Sequence, residues 1–364
     1  MLDRPHWRSL RRPRNPRTAT AAEARLRRAR SLVLEHGWNS TSHQVLDRGM
    51  RHWFSAAGDA VVGYAQFAGV RLVAGAPVAA SERLASVAAE FEEESRKRHK
   101  RVCYFLAEDR LKGSGNYAAH VVGKQPTWTV RSWSQRFDGN SSLRAQRNRA
   151  MNKGVHVLEA LACTELAAGL TACHRAWLAS KRLPLLGFLA HSDPHAAGPG
   201  ALNDKRLFLA TADAAFSQAG GGAPTRGPAP TVLGYLTAAP IPLRNGWLID
   251  KVVRHPRAPN GTTELLLDAA VRALGEDSTR ITLGLAPLAR RAEPAAGADD
   301  APAWLLRAER LALRWCSRFY DFEGLYAFKG KFQPDGWESV YLLASEEGVT
   351  ARDCLALASA LLLG

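Results

Sequence analysis

Apolar and polar positions alternate along the chain in short blocks that predict strands and helices in turn. The stretch "AVVGYAQFAGVRLVAGAPVA" (60–79) predicts two strands joined by a tight turn at Ala68 and Gly69. The next stretch, "SERLASVAAEFEEESRKRHK", predicts a helix with Ser81 as its N-cap and basic residues in its last turn. "RVCYFLAE" then predicts a short strand. Strands that alternate with helices are typical of an α/β or α+β fold.

The second half of the chain repeats this rhythm. A short basic helix that ends at Gly154 separates the two halves and is typical of a junction. After it, the pattern predicts strands in "RLFLATAD", "TVLGYLTAAPI", "GWLIDKVVRH", "RITLGLAPL" and "SVYLLA". It predicts helices at about 164–180, in "GTTELLLDAAVRAL", in "AWLLRAERLALRWCSRF" and in the closing "ARDCLALASALLL".

These patterns divide the chain into four parts. Residues 1–20 combine arginines with Pro5, Pro13 and Pro16, which predicts a disordered basic arm followed by a helix from about Ala21 to before Gly37. Residues 21–143 form a first domain with its own mixed sheet and flanking helices. Residues 144–154 form the basic linker helix, and residues 155–364 form a second domain of the same kind.

Composition indicates a globular, intracellular protein. The 364 residues are 46% apolar and 23% charged, enough to bury a real core. No run of about 18 apolar residues is present, so the sequence predicts no membrane span, and the N-terminus lacks the apolar region of a secretory signal. The 5 cysteines form no C-x-x-C pair, which fits free thiols in a reducing cytosol. We expect no metal site.

A net charge of +15 points to polyanionic partners, namely nucleic acid or an anionic membrane surface. The arginine-rich first 30 residues fit either a solvated tail or a non-specific tether to phosphate. The linker helix carries Arg144, Arg147, Arg149 and Lys153, and Arg144 and Arg147 are spaced to share one face. This helix fits either a solvated surface or a contact with phosphates that positions a ligand without reading its sequence.

Several common sites are excluded by their local context. "GSGNYA" at 113–118 has the spacing of a dinucleotide fingerprint, but a strand pattern follows it where that fingerprint needs a helix. His191 and His195 in "HSDPH" lie in a loop pattern and lack the helical spacing of a zinc site. No nucleophile elbow and no P-loop occur. The Gly-rich loop that binds acetyl-CoA in ordinary acetyltransferases is missing where "APNGTTELL" joins strand and helix.

The stretch "WLIDKVVRHPRAPNG" is the best chemical candidate. By the period-two rule for a strand, Asp250 and Arg254 share one face. They form either a structural ion pair or a clamp in which Asp250 binds an ammonium and Arg254 binds a phosphate or a developing oxyanion. Glu264, near the start of the next helix, is either a general base or an acid that favours the helix dipole.

Near the C-terminus, "LYAFKGKFQPDGWESVYLL" mixes charge with aromatic side chains. Lys329 and Lys331 lie between aromatic residues, and Glu338 follows just before an apolar strand. A solvated turn does not need the aromatic residues, and a core segment does not favour lysines. The two lysines are candidate phosphate ligands if both point to the cleft beside Arg254.

Taken together, these stretches resemble the cytosolic catalytic region of phosphatidylglycerol lysyltransferases, which are also called aminoacyl-phosphatidylglycerol synthases. The matching stretches occur in the family's order over roughly residues 35–343. They are "GYAQFAGVRLVAGAPV", "LRAQRNRAMNKGV", "RAWLASKRLPLLGF", "GWLIDKVVRHPRAPNGTTELL", "TLGLAPLA" and "FEGLYAFKGKFQPDGWESVYL".

The resemblance implies two tandem N-acetyltransferase-like (GNAT) domains and an aminoacyl group transferred from tRNA, with no other cofactor. Asp250 and Arg254 fall in the family's active-site strand, and Lys329, Lys331 and Glu338 fall in its C-terminal lysine motif. It further implies work at the inner face of the membrane, with an anionic lipid as partner. Two departures from the family exist: the flippase half is absent from this sequence, and "DKVVR" is one residue longer than the usual "DLMR".

The implied reaction moves a lysyl or alanyl group to a hydroxyl of phosphatidylglycerol or a related lipid, and a separate flippase is a further expected partner. Asp250 would bind the ammonium of the aminoacyl group, with Glu338 as a second candidate. Arg254 would bind the acceptor phosphate or the oxyanion. The linker helix would bind the tRNA body or the bilayer. Two alternatives stay open from the residues alone. One is an aminoacyl or acyl transferase with a non-lipid acceptor, and the other is a non-catalytic RNA- or membrane-binding module.

Overall fold

One mixed sheet organises the chain in the computed structural model. The structure describes residues 16–47, 49–160, 164–180, 204–212, 232–276, 278–287, 322–344 and 348–363. Within these ranges the sheet has twelve strands, with helices on both of its faces.

The first part of the chain contributes five strands and five helices to the described structure. The strands are β1 (Arg51–Phe54), β2 (Val61–Phe67), β3 (Val70–Ala74), β4 (Arg101–Ala107) and β5 (Ala118–Thr129). The helices are α1 (Pro16–His36), α2 (Leu84–Lys97), α3 (Asp109–Lys112), α4 (Val130–Gly139) and α5 (Ser141–Asn152).

The later part adds the other elements. The strands are β6 (His156–Ala160), β7 (Arg206–Thr211), β8 (Val232–Ile241), β9 (Gly246–Arg254), β10 (Arg280–Thr282), β11 (Ala286–Pro287) and β12 (Gly336–Ala344). The helices are α6 (Thr164–Ala179), α7 (Thr262–Leu274), α8 (Phe322–Gly330) and α9 (Ala351–Leu363).

The order of strands interleaves the two halves of the chain. It runs β1-β2-β3-β4-β12-β5-β10-β9-β8-β7-β6, with β11 beside β5. The late strand β12 is antiparallel to both β4 and β5, and α9 packs on β2 and β3. The chain therefore returns to the first half of the sheet after residue 335. The domain bounds 21–143, 144–154 and 155–364 stay a prediction. However, β12 and α9, which these bounds assign to the second domain, pack against strands of the first domain.

Several turns have the backbone conformation that the sequence predicts. Ala68 and Gly69 both have positive φ, 47° and 80°, and join β2 to β3 as expected for a two-residue hairpin turn. Gly154, at φ 77°, follows α5. Two predictions are wrong. Helix α1 begins at Pro16, so residues 16–20 are helical, and Ser81 opens a 3₁₀ turn with Arg83 as the N-cap residue of α2. Residues 1–15 lie outside the described residues.

The core on one face of the sheet is aromatic. Trp128, Trp133, Phe137 and Phe332 pack with the buried side of α7, and the rings of Trp133 and Phe332 stack with their centroids 5.1 Å apart. Trp128 Nε1 donates to the Phe332 carbonyl at 2.9 Å. This cluster holds the stretch after α8 against β5. Of the aromatic residues around the two lysines, Phe332 and Phe328 are therefore structural.

Candidate functional site

Asp250 lies at an irregularity of the sheet. The pairing of β8 with β9 shifts between Thr237 and Ala238, so that Thr237 faces Lys251, Ala238 faces Ile249, and Asp250 is the extra residue. An extra residue in one strand is a β-bulge, which re-aims the side chains on either side of it. The period-two expectation for this strand therefore fails at Asp250.

The bulge places Asp250 and Arg254 on opposite faces of β9. Thr237, whose hydroxyl donates to Asp250, alternates with Leu236 and Ala238, which both pack in the core with α7. Arg254 instead pairs with Gly234, whose Cα faces Thr262 at the start of α7. The prediction that the two charged side chains share a face is wrong, because one inserted residue reverses the alternation after it.

Asp250 is a buried carboxylate that is paired with a lysine. Lys205 Nζ lies 2.6 Å from Asp250 Oδ2, and the two side chains are only 9% and 8% exposed. Burial acts to raise the pKa of Asp250, but Lys205 and the Thr237 hydroxyl outweigh it and hold the pKa below its ordinary value. Nearby, burial raises the pKa of Asp47 despite the charge of Lys205. One ammonium thus serves two carboxylates.

Arg254 donates hydrogen bonds to uncharged acceptors within its own loop. Its Nη2 donates to the Ala258 carbonyl at 3.0 Å and to Asn260 Oδ1 at 3.2 Å. Its Nε is buried and has no hydrogen-bond partner among the described residues. A guanidinium carries five N–H donors, so Arg254 keeps donors for an anion beside the start of α7.

Glu338 lies in a charge network where β12, β5 and β10 meet. Its carboxylate accepts from Arg244 at 2.8 Å, from Arg280 and from Gln125 Nε2 at 3.2 Å. Arg244 also pairs with Glu108 at 2.7 Å. Burial acts to raise the pKa of Glu338, but the two arginines hold it below its ordinary value. Glu338 is thus a paired carboxylate at the joint between the two halves of the sheet.

Lys329 is buried among backbone carbonyls. Its Nζ donates to the carbonyls of Leu283, Gly284 and Leu285 at 2.8, 2.9 and 2.7 Å. Burial lowers the pKa of Lys329 to about 7, while three acceptors match the three N–H bonds of the charged form. With its donors occupied inside the fold, Lys329 holds the turn between β10 and β11. The geometry contradicts a role as a phosphate ligand.

Lys331 and Glu264, both sequence candidates, are ion-paired with each other. Lys331 Nζ lies 2.7 Å from Glu264 Oε1 in the first turn of α7, and the two side chains are 29% and 12% exposed. The structure brings these two together at the start of α7, in the same loop-to-helix region that holds Arg254. Their roles as a phosphate ligand and a base stay predictions.

Replacing Lys329 by methionine is expected to lower the free energy of unfolding by about 3 kcal/mol, since three buried carbonyls lose their donor. The matched variant Lys331→Met removes a more exposed lysine and is expected to cost roughly 1 kcal/mol or less. Urea denaturation followed by tryptophan fluorescence measures both. Equal losses for the two variants would contradict the structural role of Lys329.

The basic linker helix is only partly free. Arg147 pairs with Asp268 at 2.8 Å and with Asp138 at 3.1 Å, and Arg144 donates to the Asp138 carbonyl. These two arginines therefore anchor α5 to α4 and α7. Arg149 and Lys153 are exposed and stay predicted contacts for a polyanion.

Arginines of α1 serve the fold in the same way. Arg25 Nη2 donates to the His52 carbonyl at 2.6 Å, and Arg28 Nη2 donates to the Gly58 carbonyl at 3.1 Å. Arg30 binds Asp204 with two nitrogens, one of them at 2.6 Å. The described part of the basic N-terminus is therefore held onto the body. The loop with His191 and His195 lies outside the described residues.

Comparison with known proteins places the chain in a family. Residues 30–344 match the family described as "Phosphatidylglycerol lysyltransferase, C-terminal". The chain belongs to this family. Because it belongs to the phosphatidylglycerol lysyltransferase family, we describe it as a transferase of that type. None of the curated proteins compared with the chain matches it.

Solved structures share the fold of this family member. The C-terminal domain of a putative lysylphosphatidylglycerol synthetase from Agrobacterium fabrum is 19% identical, with 94% of this chain and 97% of that chain covered and a TM-score of 0.72. L-PGS from Bacillus licheniformis is 20% identical, with 92% and 94% covered and a TM-score of 0.70. FemX is 10% identical, with 88% and 96% covered and a TM-score of 0.50.

These likenesses confirm the fold class, a mixed α/β, GNAT-like architecture with a large mixed sheet and flanking helices. None of the helices that the structure describes is long and apolar enough to cross a bilayer.

Sequence reasoning missed one part of the site in this family member. The segment Trp38–Gln44 contains buried polar side chains, and Asp47 follows it near Lys205 and Asp250. Trp38 lies under the Arg244 guanidinium, 4.4 Å from the ring centroid, so the segment adjoins the Glu338 network as well. In the sequence, "WNSTSHQ" has the composition of a surface loop, and no spacing marks it as buried.

Proposed function

We propose that the chain transfers an aminoacyl group, lysyl or alanyl, from aminoacyl-tRNA to a hydroxyl of phosphatidylglycerol or a related lipid at the membrane surface. The match of residues 30–344 to the phosphatidylglycerol lysyltransferase family carries this proposal. Two charge networks support it: the buried pair of Lys205 with Asp250 on β9, and the half-buried network around Glu338 where the two halves of the sheet meet.

The reaction needs positioning more than covalent catalysis. The aminoacyl ester of tRNA is already activated, so the acceptor hydroxyl attacks its carbonyl carbon directly and the terminal ribose hydroxyl leaves. Such a step depends on holding both substrates and on stabilising the oxyanion. No covalent enzyme intermediate and no cofactor beyond the donor are required.

Individual residues take roles that suit their surroundings. The carboxylates Asp250 and Asp47, which share Lys205, would attract the ammonium of the aminoacyl group. Arg254, with donors to spare, would meet the acceptor phosphate or the oxyanion. Lys331 would hold phosphate if a ligand draws it from Glu264.

The partners follow from the charge distribution. With a net charge of +15, the chain would bind tRNA and an anionic bilayer, through exposed residues such as Arg149 and Lys153. We place its work at the cytoplasmic face of the membrane, where anionic lipid and aminoacyl-tRNA meet. A separate flippase would move the product across the bilayer.

Purified protein, tRNAs charged with labelled lysine or alanine, and vesicles with or without phosphatidylglycerol test the proposal. We expect labelled lipid only with charged tRNA and phosphatidylglycerol, and release of free tRNA that depends on the acceptor. Absence of labelled lipid with every charged tRNA would contradict lipid aminoacylation. Salt-dependent binding to RNA or vesicles without turnover would instead indicate a binding module.

A further inference from the structure

The segment Trp38–Gln44 buries polar atoms that lack partners. Asn39, Thr41 and His43 are 5%, 4% and 4% exposed. Asn39 Nδ2, Thr41 Oγ1, both ring nitrogens of His43 and Gln44 Oε1 make no hydrogen bond among the described residues. A buried polar atom without a hydrogen-bond partner destabilises the fold unless a ligand or a water molecule supplies one. Several in one short segment point to a ligand or to ordered water.

The segment is firmly held although several of its side-chain polar atoms lack hydrogen-bond partners among the described residues. The amide of Ser40 donates to Glu108 Oε1 at 2.7 Å, and the amide of Leu243 donates to the Gly37 carbonyl at 3.0 Å. Gly75, at φ 75°, packs so closely that a Cβ there would collide with Thr41 Oγ1. The unpartnered atoms are therefore fixed in place inside the fold.

The segment lies between the two charge networks of the site. Its helical turn, Ser42–Leu46, contacts β2 and β3 on one side and β8 on the other. Trp38 reaches the Glu338 network through Arg244, and Asp47 reaches the Asp250 network through Lys205. A ligand on this segment would touch both halves of the sheet.

The chemistry of the segment favours hydroxyl groups over phosphate. From Asn39 to Gln44 the side chains are amides, hydroxyls and an imidazole, which offer both donors and acceptors. Of the nearby cations, Arg244 and Lys205 are already paired with carboxylates, and Arg110, 5.5 Å from the Trp38 ring centroid, donates to the Ala79 carbonyl. A phosphate favours free cations, whereas a polyol matches mixed neutral donors and acceptors.

We propose that Trp38–Gln44 forms the subsite for the hydroxylated head group of the acceptor, and that His43 accepts the proton of the attacking hydroxyl. This inference rests on the proposed transferase function. His43 Nε2 lies 3.8 Å from Asp204 Oδ2, and Arg30 fixes Asp204 in turn. Asp204 lies beside Nε2 without a hydrogen bond, and Nδ1 also has no partner among the described residues, so we assign Nδ1 to the acceptor.

The step balances without a further reactant. The acceptor O–H proton moves to His43 Nδ1 as its oxygen forms a bond to the ester carbonyl carbon. The bond from that carbon to the ribose oxygen then breaks, and the proton passes from His43 to that oxygen. The charged groups near His43 are Asp204 and Arg30 on one side and Asp47 and Lys205 on the other.

The test combines binding with turnover in the full chain. Calorimetry with glycerophosphoglycerol, the soluble head group, and separately with adenosine, the ribose of the donor end, compares wild type with Thr41→Val and Thr41→Ser. Transfer assays over a pH series compare wild type with His43→Gln. His156→Gln, on an exposed histidine, is the matched control.

We expect head-group binding in wild type, a loss of at least tenfold in Thr41→Val and retention in Thr41→Ser. His43→Gln should lower kcat by 10²-fold or more with little change in KM, and flatten the acid limb of the pH profile. His156→Gln should match wild type. Two results would overturn the subsite and indicate that water occupies it. In one, Thr41→Val weakens the binding of adenosine but not of the head group. In the other, every variant behaves like His156→Gln.

The outcomes separate this inference from the proposed function. Transfer by wild type that Thr41→Val and His43→Gln leave intact would remove the subsite and keep the function. Head-group binding that depends on Thr41, without transfer to lipid, would keep the subsite, remove the proposed function and overturn the role of His43. Absence of both binding and transfer would overturn both.

Discussion

Replacing Lys205 by methionine is expected to lower the free energy of unfolding by about 3–5 kcal/mol. The substitution leaves Asp250 as a buried charge without its ammonium, and it removes the cation that Asp47 shares. Chemical denaturation at neutral pH measures the loss. Lys331→Met, which breaks a more exposed pair, is the matched control and should cost much less.

The double variant Lys205→Met with Asp250→Asn tests the reason for that loss. An amide removes the unpaired charge, so the double variant should recover part of the stability, with a coupling energy of about 1 kcal/mol or more. A double variant that is no more stable than Lys205→Met would show that Asp250 does not depend on Lys205. The idea of a buried pair would then be wrong.

The same double variant separates the structural role of Asp250 from its proposed binding of an ammonium. If stability recovers while transfer stays down by roughly 10²-fold, the carboxylate acts on the donor as well as on the fold. If transfer recovers with stability, Asp250 serves the fold alone. The structure motivates this comparison, because Lys205 already occupies the position expected for a substrate ammonium.

Much of the fold follows from local patterns because short-range physics decides it. The Ala68-Gly69 turn and the glycine after α5 mark positions where the backbone takes positive φ. The strand after "GSGNYA" is β5, as its alternation predicts. Long-range placement is different: β12 inserts between β4 and β5, more than 200 residues away, and no periodicity encodes a partner.

The candidate site shows the same division. A bulge depends on how β8 and β9 register, so the sequence "LIDKVVR" gives no sign that its alternation reverses at Asp250. Lys329 is buried because carbonyls 44–46 residues away accept from it, which neighbouring aromatic residues do not reveal. In the sequence, the polar segment Trp38–Gln44 has the composition of an exposed loop. It is buried because elements from both halves cover it, and no local pattern reveals that cover.

Replacing Arg254 by alanine is expected to lower the transfer rate on the order of 10²-fold, because a preorganised donor to the developing charge is lost. Arg254 has an unpartnered buried Nε and lies in the loop that leads to α7. Arg257→Ala, on an exposed arginine of the same loop, is the matched control and should change the rate little. Labelled-lipid formation measures both, with thermal unfolding to confirm that each variant is folded.

The kinetic form of the Arg254 effect identifies which anion it meets. A guanidinium that holds the acceptor phosphate equally in the ground and transition states raises KM for phosphatidylglycerol vesicles when lost and leaves kcat unchanged. One that meets the oxyanion lowers kcat and leaves KM in place. An unchanged kcat and KM would remove Arg254 from the site, and the start of α7 would then keep only Lys331 and Glu264 as candidates for contact with substrate.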